Sequence, residues 1–170
     1  MKTWGEVGHT PIIKSASGWK NRTLLGMILF NSKNKWVDNY VWIKKTSAKK
    51  EDILKMLNDL KKRHDSEQFI LLWDGLSTHK AKIVKDFIET NKKWLTVHRF
   101  PAYSPELNPQ EYEWSSLKRK DLGNFLPKDM LALERKVRCG CNRMKRNQTI
   151  LKGFLKKSGL WSVKELGEGQ

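Results

Sequence analysis

The sequence predicts a mixed α/β sandwich, a single domain in which helices cover a sheet. Three observations lead there. Apolar runs of strand length recur along the chain, amphipathic stretches with helical spacing lie between them, and 170 residues with 38% hydrophobic content suffice for one core.

The elements follow in order. The segment Trp4-Gly5-Glu6-Val7-Gly8-His9-Thr10-Pro11 is turn-rich and leads to Ile12-Ile13, which predicts a loop entering a short strand. Residues 22–30 and 36–43 are apolar, aromatic and β-branched runs on either side of Asn31-Ser32-Lys33-Asn34, the pattern of a hairpin. Between residues 48 and 63, Ile53, Leu57 and Leu60 recur at i, i+4 and i+7 with Leu54 beside them, so an amphipathic helix is expected.

Phe69 to Trp73 is an unbroken apolar run that stops at Asp74-Gly75, which reads as a strand covered on both faces. A helix should follow, with Ala81, Val84, Phe87 and Ile88 as its inner stripe, and then a strand over residues 95–98. Pro101, Pro105 and Pro109 stiffen the next loop. Asn108 has the position of an N-cap and Pro109 that of the first helical residue, which predicts a helix over 109–120. A basic helix over 127–144 would bury Leu133, Val137, Cys141 and Met144, and residues 148–158 suggest another; residues 167–170 read as loose. There is no internal repeat and no long linker.

Lys and Arg number 34 against 18 Asp and Glu, a formal net charge of +16. That excess exceeds what solubility requires and points to a polyanionic partner, nucleic acid above all. It is denser after residue 111, where 59 residues carry the same +8 as the 111 before them. Arg135, Arg138, Arg143, Lys145 and Arg146 form a candidate DNA-facing surface, with Lys118, Arg119 and Lys120 beside it; a merely solvated helix face is the alternative. Cys139 and Cys141 lack the second pair that a zinc site needs. No apolar run approaches the roughly 20 residues of a membrane span. These features predict a soluble protein of a reducing compartment, without a membrane partner.

Two carboxylates stand out. Asp74 ends an apolar strand, where ligand clefts of open α/β sheets lie; capping the following turn is its structural alternative. Glu111 opens a helix, where Asn108-x-x-Glu111 also reads as a capping box. The surrounding motif, Tyr103-Ser104-Pro105-Glu106-Leu107-Asn108-Pro109-Gln110-Glu111 followed by Trp114, closely resembles the signature before the last carboxylate of mariner-like and related insertion-sequence DDE transposases. Trp73-Asp74-Gly75 with His79 resembles that family's Asp-Asn…His block, with Gly75 where Asn is usual, and Trp4…Gly8…Thr10-Pro11 resembles the loop after its first strand. The resemblance covers at least residues 4–120, and the 36 residues between Asp74 and Glu111 are close to the separation that the family uses.

The resemblance implies a ribonuclease-H-like mixed sheet flanked by helices, a partial DDE catalytic domain over residues 1–125 and a basic helical extension of it over 126–170. It implies DNA phosphodiester hydrolysis and strand transfer, with Asp74 and Glu111 as the second and third catalytic, metal-holding carboxylates and His79 and Asn108 supporting them. Two hard divalent ions about 4 Å apart would be held, magnesium or, in its place, manganese. The first Asp belongs on a central strand upstream of the Trp4 loop. Neither Glu6 nor Asp38 has its position, so the chain reads as a carboxyl-terminal portion missing that strand. Its partner would be DNA, joined by an upstream transposase fragment or an intact transposase protomer. The alternative is an inactive remnant that binds DNA non-specifically or inhibits an intact relative. Localisation would be cytoplasmic, at the nucleoid, in a prokaryote, and nuclear in a eukaryote.

Overall fold

The computed structural model describes residues 7–8, 21–31, 33 and 35–161. The expected strand at Ile12-Ile13, most of the Trp4 loop and the tail at 167–170 lie outside them. Strands β1 (Thr23–Asn31) and β2 (Trp36–Lys44) pair antiparallel in the expected hairpin, from Thr23 opposite Lys44 to Asn31 opposite Trp36. Helix α1 (Lys50–Arg63) buries Ile53, Met56, Leu57 and Leu60, the stripe that its spacing predicts. Asp52 accepts from the Lys49 backbone and from the Lys44 ammonium, tying the start of α1 to the end of β2.

Strand β3 (Phe69–Trp73) runs parallel to β4 (Leu95–Arg99), with helix α2 (Lys82–Thr90) crossing between them. A 3-10 turn over Ser77–Lys80 precedes α2. Covering of β3 on both faces is not found: Trp73 is buried, but Ile70 is 72% exposed. Phe69, Leu71 and Trp73 pack into the core, and Ile70, which points the other way, meets no such packing. An unbroken apolar run cannot by itself say which faces are covered.

Among the described residues the sheet is two separate pairs, β1–β2 and β3–β4, with no ladder between them. They share a core instead. Met27 of β1, Trp73 of β3, Leu95 of β4, Val84 of α2 and the buried face of α1 form one apolar cluster.

A second cluster lies around Val37 of β2 and the carboxyl-terminal helices. Helix α3 (Pro109–Ser116) continues through a π-helical turn at Leu117–Asp121, close to the expected end. Helix α4 (Met130–Lys145) begins three residues later than the sequence suggests, because the Asp129 carboxylate accepts from Ala132 N–H and sets the start there. Helix α5 (Gln148–Lys157) is capped by Asn147 and contributes Leu151, Phe154 and Leu155 to this core. No helix among the described residues is long and apolar enough to cross a membrane.

Gly26 decides how closely α3 approaches the hairpin. A Cβ at this position would fall 2.5 Å from Gln110 Nε2 and 2.6 Å from the Trp114 ring. Gly26→Ala is therefore expected to destabilise the fold by about 1–3 kcal/mol, the usual range for overpacking, read as a lowered urea midpoint. An unchanged midpoint would place α3 away from β1.

Candidate active site

Asp74 leaves the carboxyl end of β3 with its side chain about half exposed, at 48%. One oxygen, Oδ1, accepts from Leu76 N–H at 3.1 Å, so the turn-capping alternative is realised. Capping occupies only one side of the group. Among the described residues, Oδ2 has no hydrogen-bond partner.

His79 holds the same carboxylate from the 3-10 turn. Its Nδ1 lies 3.1 Å from Asp74 Oδ1 and 3.2 Å from the Asp74 carbonyl oxygen, and its ring stacks on Trp73 at 4.3 Å with planes 3° apart. The stacking fixes the imidazole plane, and the two oxygens favour a proton on Nδ1. His79 thus orients Asp74 from beneath while leaving Oδ2 open.

The Pro-rich loop begins beside Asp74, because Phe100 N–H donates to the Trp73 carbonyl at 2.9 Å. It ends at α3, where Asn108 Oδ1 accepts from Gln110 N–H at 3.0 Å. Asn108 is the N-cap, as expected, but Glu111 does not complete a reciprocal capping box. The Glu111 side chain is exposed, and among the described residues it has neither a hydrogen bond nor an ion pair. Each site carboxylate therefore keeps at least one oxygen uncommitted. Free carboxylate oxygens are the ligand type that a hard divalent ion takes. No three His, Cys, Asp or Glu side chains among the described residues come together as a ligand set.

What anchors Glu111 escapes a reading of the sequence. Glu113, two residues on, is fully buried and accepts from Asn39 Nδ2 at 2.5 Å and Gln110 Nε2 at 2.6 Å. Burial raises its pKa above the usual carboxylate value, while the two hydrogen bonds oppose that rise. Asp38, next to Asn39, is buried with it and pairs with Lys145 at 2.9 Å. The only trace in sequence is Pro109, Glu113, Ser116 and Leu117 at helical spacing, a face too polar to read as core.

The basic candidates divide. Lys118, Arg119, Lys120, Arg135, Arg138 and Arg146 are exposed. Arg143 instead grips Asp121 with two bonds of 3.1 and 2.8 Å, and Lys145 is engaged with Asp38.

The model of the DDE superfamily endonuclease family matches residues 1–131. The chain belongs to this family. No curated protein matches it. Among solved structures, the Mos1 transposase catalytic domain with Raltegravir and magnesium is similar at 17% identity and a TM-score of 0.56, over 82% of this chain and 79% of that one. A Mos1 strand transfer complex is similar at 16% identity and a TM-score of 0.61, over 95% of this chain and 47% of that one. A Mos1 mariner paired end complex with manganese is similar at 18% identity and a TM-score of 0.62, over 95% and 48%. The chain thus spans most of the Mos1 catalytic domain but about half the length of the chains in the two complexes. This DDE endonuclease chain has the mixed α/β fold of that ribonuclease-H-like domain.

Proposed function

We propose that this chain is a catalytic segment of a DNA transposase, with Asp74 and Glu111 as two of three metal-holding carboxylates. The observation that carries the reading is the uncommitted oxygen on each: Asp74 Oδ2 beyond the turn bond, and Glu111 beyond the N-cap. Magnesium, or manganese in its place, would supply Lewis-acid stabilisation of the charge that develops on phosphate oxygens. The chain's own residues hold and orient. His79 and the Leu76 N–H fix Asp74, Asn108 sets the first turn of α3, and Glu113 keeps that helix on the hairpin.

A third carboxylate is needed, and two observations favour its arrival on another segment. Among the described residues no three-ligand set forms, and no strand joins β1–β2 to β3–β4. An upstream transposase segment bearing an Asp-ended strand would meet both needs. Without it the same chain fits the second reading, a DNA-binding remnant or an inhibitor of an intact transposase.

The test is magnesium-dependent nicking of DNA by the chain supplied with that upstream segment. Activity is expected there, to be absent in chelator, and to fall by orders of magnitude in Asp74→Ala and Glu111→Ala, since a neighbouring charge at 4 Å is worth about 4 kcal/mol at an effective dielectric of 20. Equal cleavage by both variants would refute the assignment.

A further inference from the structure

A cavity of about 220 Å³ opens beside β2, bounded by Arg63 at the end of α1 and by Arg138, Asn142 and Lys145 on α4. Its inner wall includes Asn39 and Tyr40. Tyr40 organises the cations around it: the Arg63 guanidinium carbon lies 5.1 Å from the ring centroid and Lys145 Nζ 4.6 Å. Cation–π contact holds a charge in place without neutralising it.

The charge balance is positive. Lys145 is answered by buried Asp38, but among the described residues neither Arg63 nor Arg138 has a carboxylate partner. Asp59, one turn before Arg63, forms no ion pair with it. Cys141, which also lines the cavity, adds no negative charge at neutral pH, because burial and nearby Glu113 and Asp121 push its thiol up to about 12. Glu134, one turn before Arg138, feels that arginine's charge but is itself bonded to Arg22. Two arginines without an ion pair thus face a space with amide groups and a tyrosine in its wall, which is the chemistry of a phosphate-binding site.

The site is separate from Asp74. Arg63 precedes His64, whose ring meets Phe69 at 5.5 Å, and Phe69 is the first residue of β3. Asp74 follows the opposite end of that strand, and a strand of five residues spans about 17 Å. A phosphate at Arg63 is therefore not the one at Asp74.

We propose that Arg63, Arg138 and Lys145, lining the cavity at Tyr40 beside β2, bind backbone phosphates of DNA at a second location, remote from Asp74. This rests on DNA being the substrate, as in the proposed function. It adds a place where the duplex is held without chemistry, and it brings in Arg63, which lies at the basic last turn of α1 and outside the basic stretch after residue 111.

The test is the affinity of the full chain for a short duplex, by fluorescence anisotropy across a salt series in chelator, where the carboxylate site holds no metal. Arg63→Gln/Arg138→Gln is expected to lower the slope of log K against log salt by about 2, roughly one for each phosphate no longer neutralised. Arg63→Lys/Arg138→Lys should restore most of it. Lys55→Gln/Lys93→Gln, which removes two exposed charges elsewhere, should change it by less than half as much. Inorganic pyrophosphate should compete with the duplex on the wild-type chain and less on the Gln double variant.

An unchanged slope in the Gln variant overturns the proposal. So does a variant that loses only pyrophosphate binding, since the site would then serve a free anion rather than DNA. Asp74→Ala and Glu111→Ala should leave the slope alone. Failure here with nicking still abolished in those two variants would remove this inference and spare the proposed function.

Discussion

Glu113→Ala is expected to lower the midpoint of thermal unfolding by on the order of 10 °C. The change leaves two buried donors, Asn39 Nδ2 and Gln110 Nε2, without an acceptor. Each costs about 1–3 kcal/mol, and a chain of this size loses about 2–4 °C per kcal/mol. Glu113→Gln should behave differently. Gln110 Oε1 is buried with no partner among the described residues, so the Gln110 amide can turn over and accept from the new side-chain amide.

The pH dependence gives the comparison its sign. The folded pKa of Glu113 lies above the ordinary value, so the folded state keeps this proton when the unfolded chain has lost it. Wild-type stability should therefore be unpenalised below the unfolded pKa, fall as pH rises through the window up to the raised folded pKa, and then level off. Glu113→Gln lacks that fall and gains on the wild type as pH rises. Urea melts at several pH values measure it, and equal slopes in the two proteins would show that Glu113 does not titrate in this way. Because Glu113 lies two residues from Glu111, the Ala variant should also weaken metal-dependent nicking, and the Gln variant much less.

Leu57→Ala carries the second large effect. Leu57 is fully buried in the cluster that joins β1, α1, α2, β3 and β4, and among the described residues no backbone ladder links the two strand pairs. Side-chain packing around α1 joins the halves of this core, with the Lys44–Asp52 and Lys61–Asn91 contacts at its two ends. The substitution is expected to cost about 2–5 kcal/mol, a large share of the roughly 5–15 kcal/mol by which domains are stable. Chemical denaturation measures the loss. A cost below about 1 kcal/mol would mean that the site collapses around the smaller side chain, and that α1 is not the bridge.

These effects show where sequence reasoning reaches and where it stops. The α1 stripe is legible because Ile53, Leu57 and Leu60 fall on one face of a 3.6-residue period. The hairpin is legible because turn residues separate two apolar runs. Asn108 is legible as an N-cap because its side chain acts within the next turn. The exposure of Ile70 is not, since an apolar run carries no record of what packs over it. Glu113 is not either: buried acid looks like surface acid until Asn39, 74 residues away in sequence, is brought against it.

For the function, the sequence by itself determined the family motif and the excess of positive charge, and offered Asp74 and Glu111 as the candidate pair. Those depend on residue type and spacing, which a linear chain records. Only the tertiary structure decided which oxygens those carboxylates have already committed, that Arg143 and Lys145 are tied to Asp121 and Asp38, and that Arg63 meets Lys145 at the Tyr40 ring, in a cavity that Arg138 also lines. These are contacts between distant parts of the chain, made by packing elements against one another, and local pattern does not encode them.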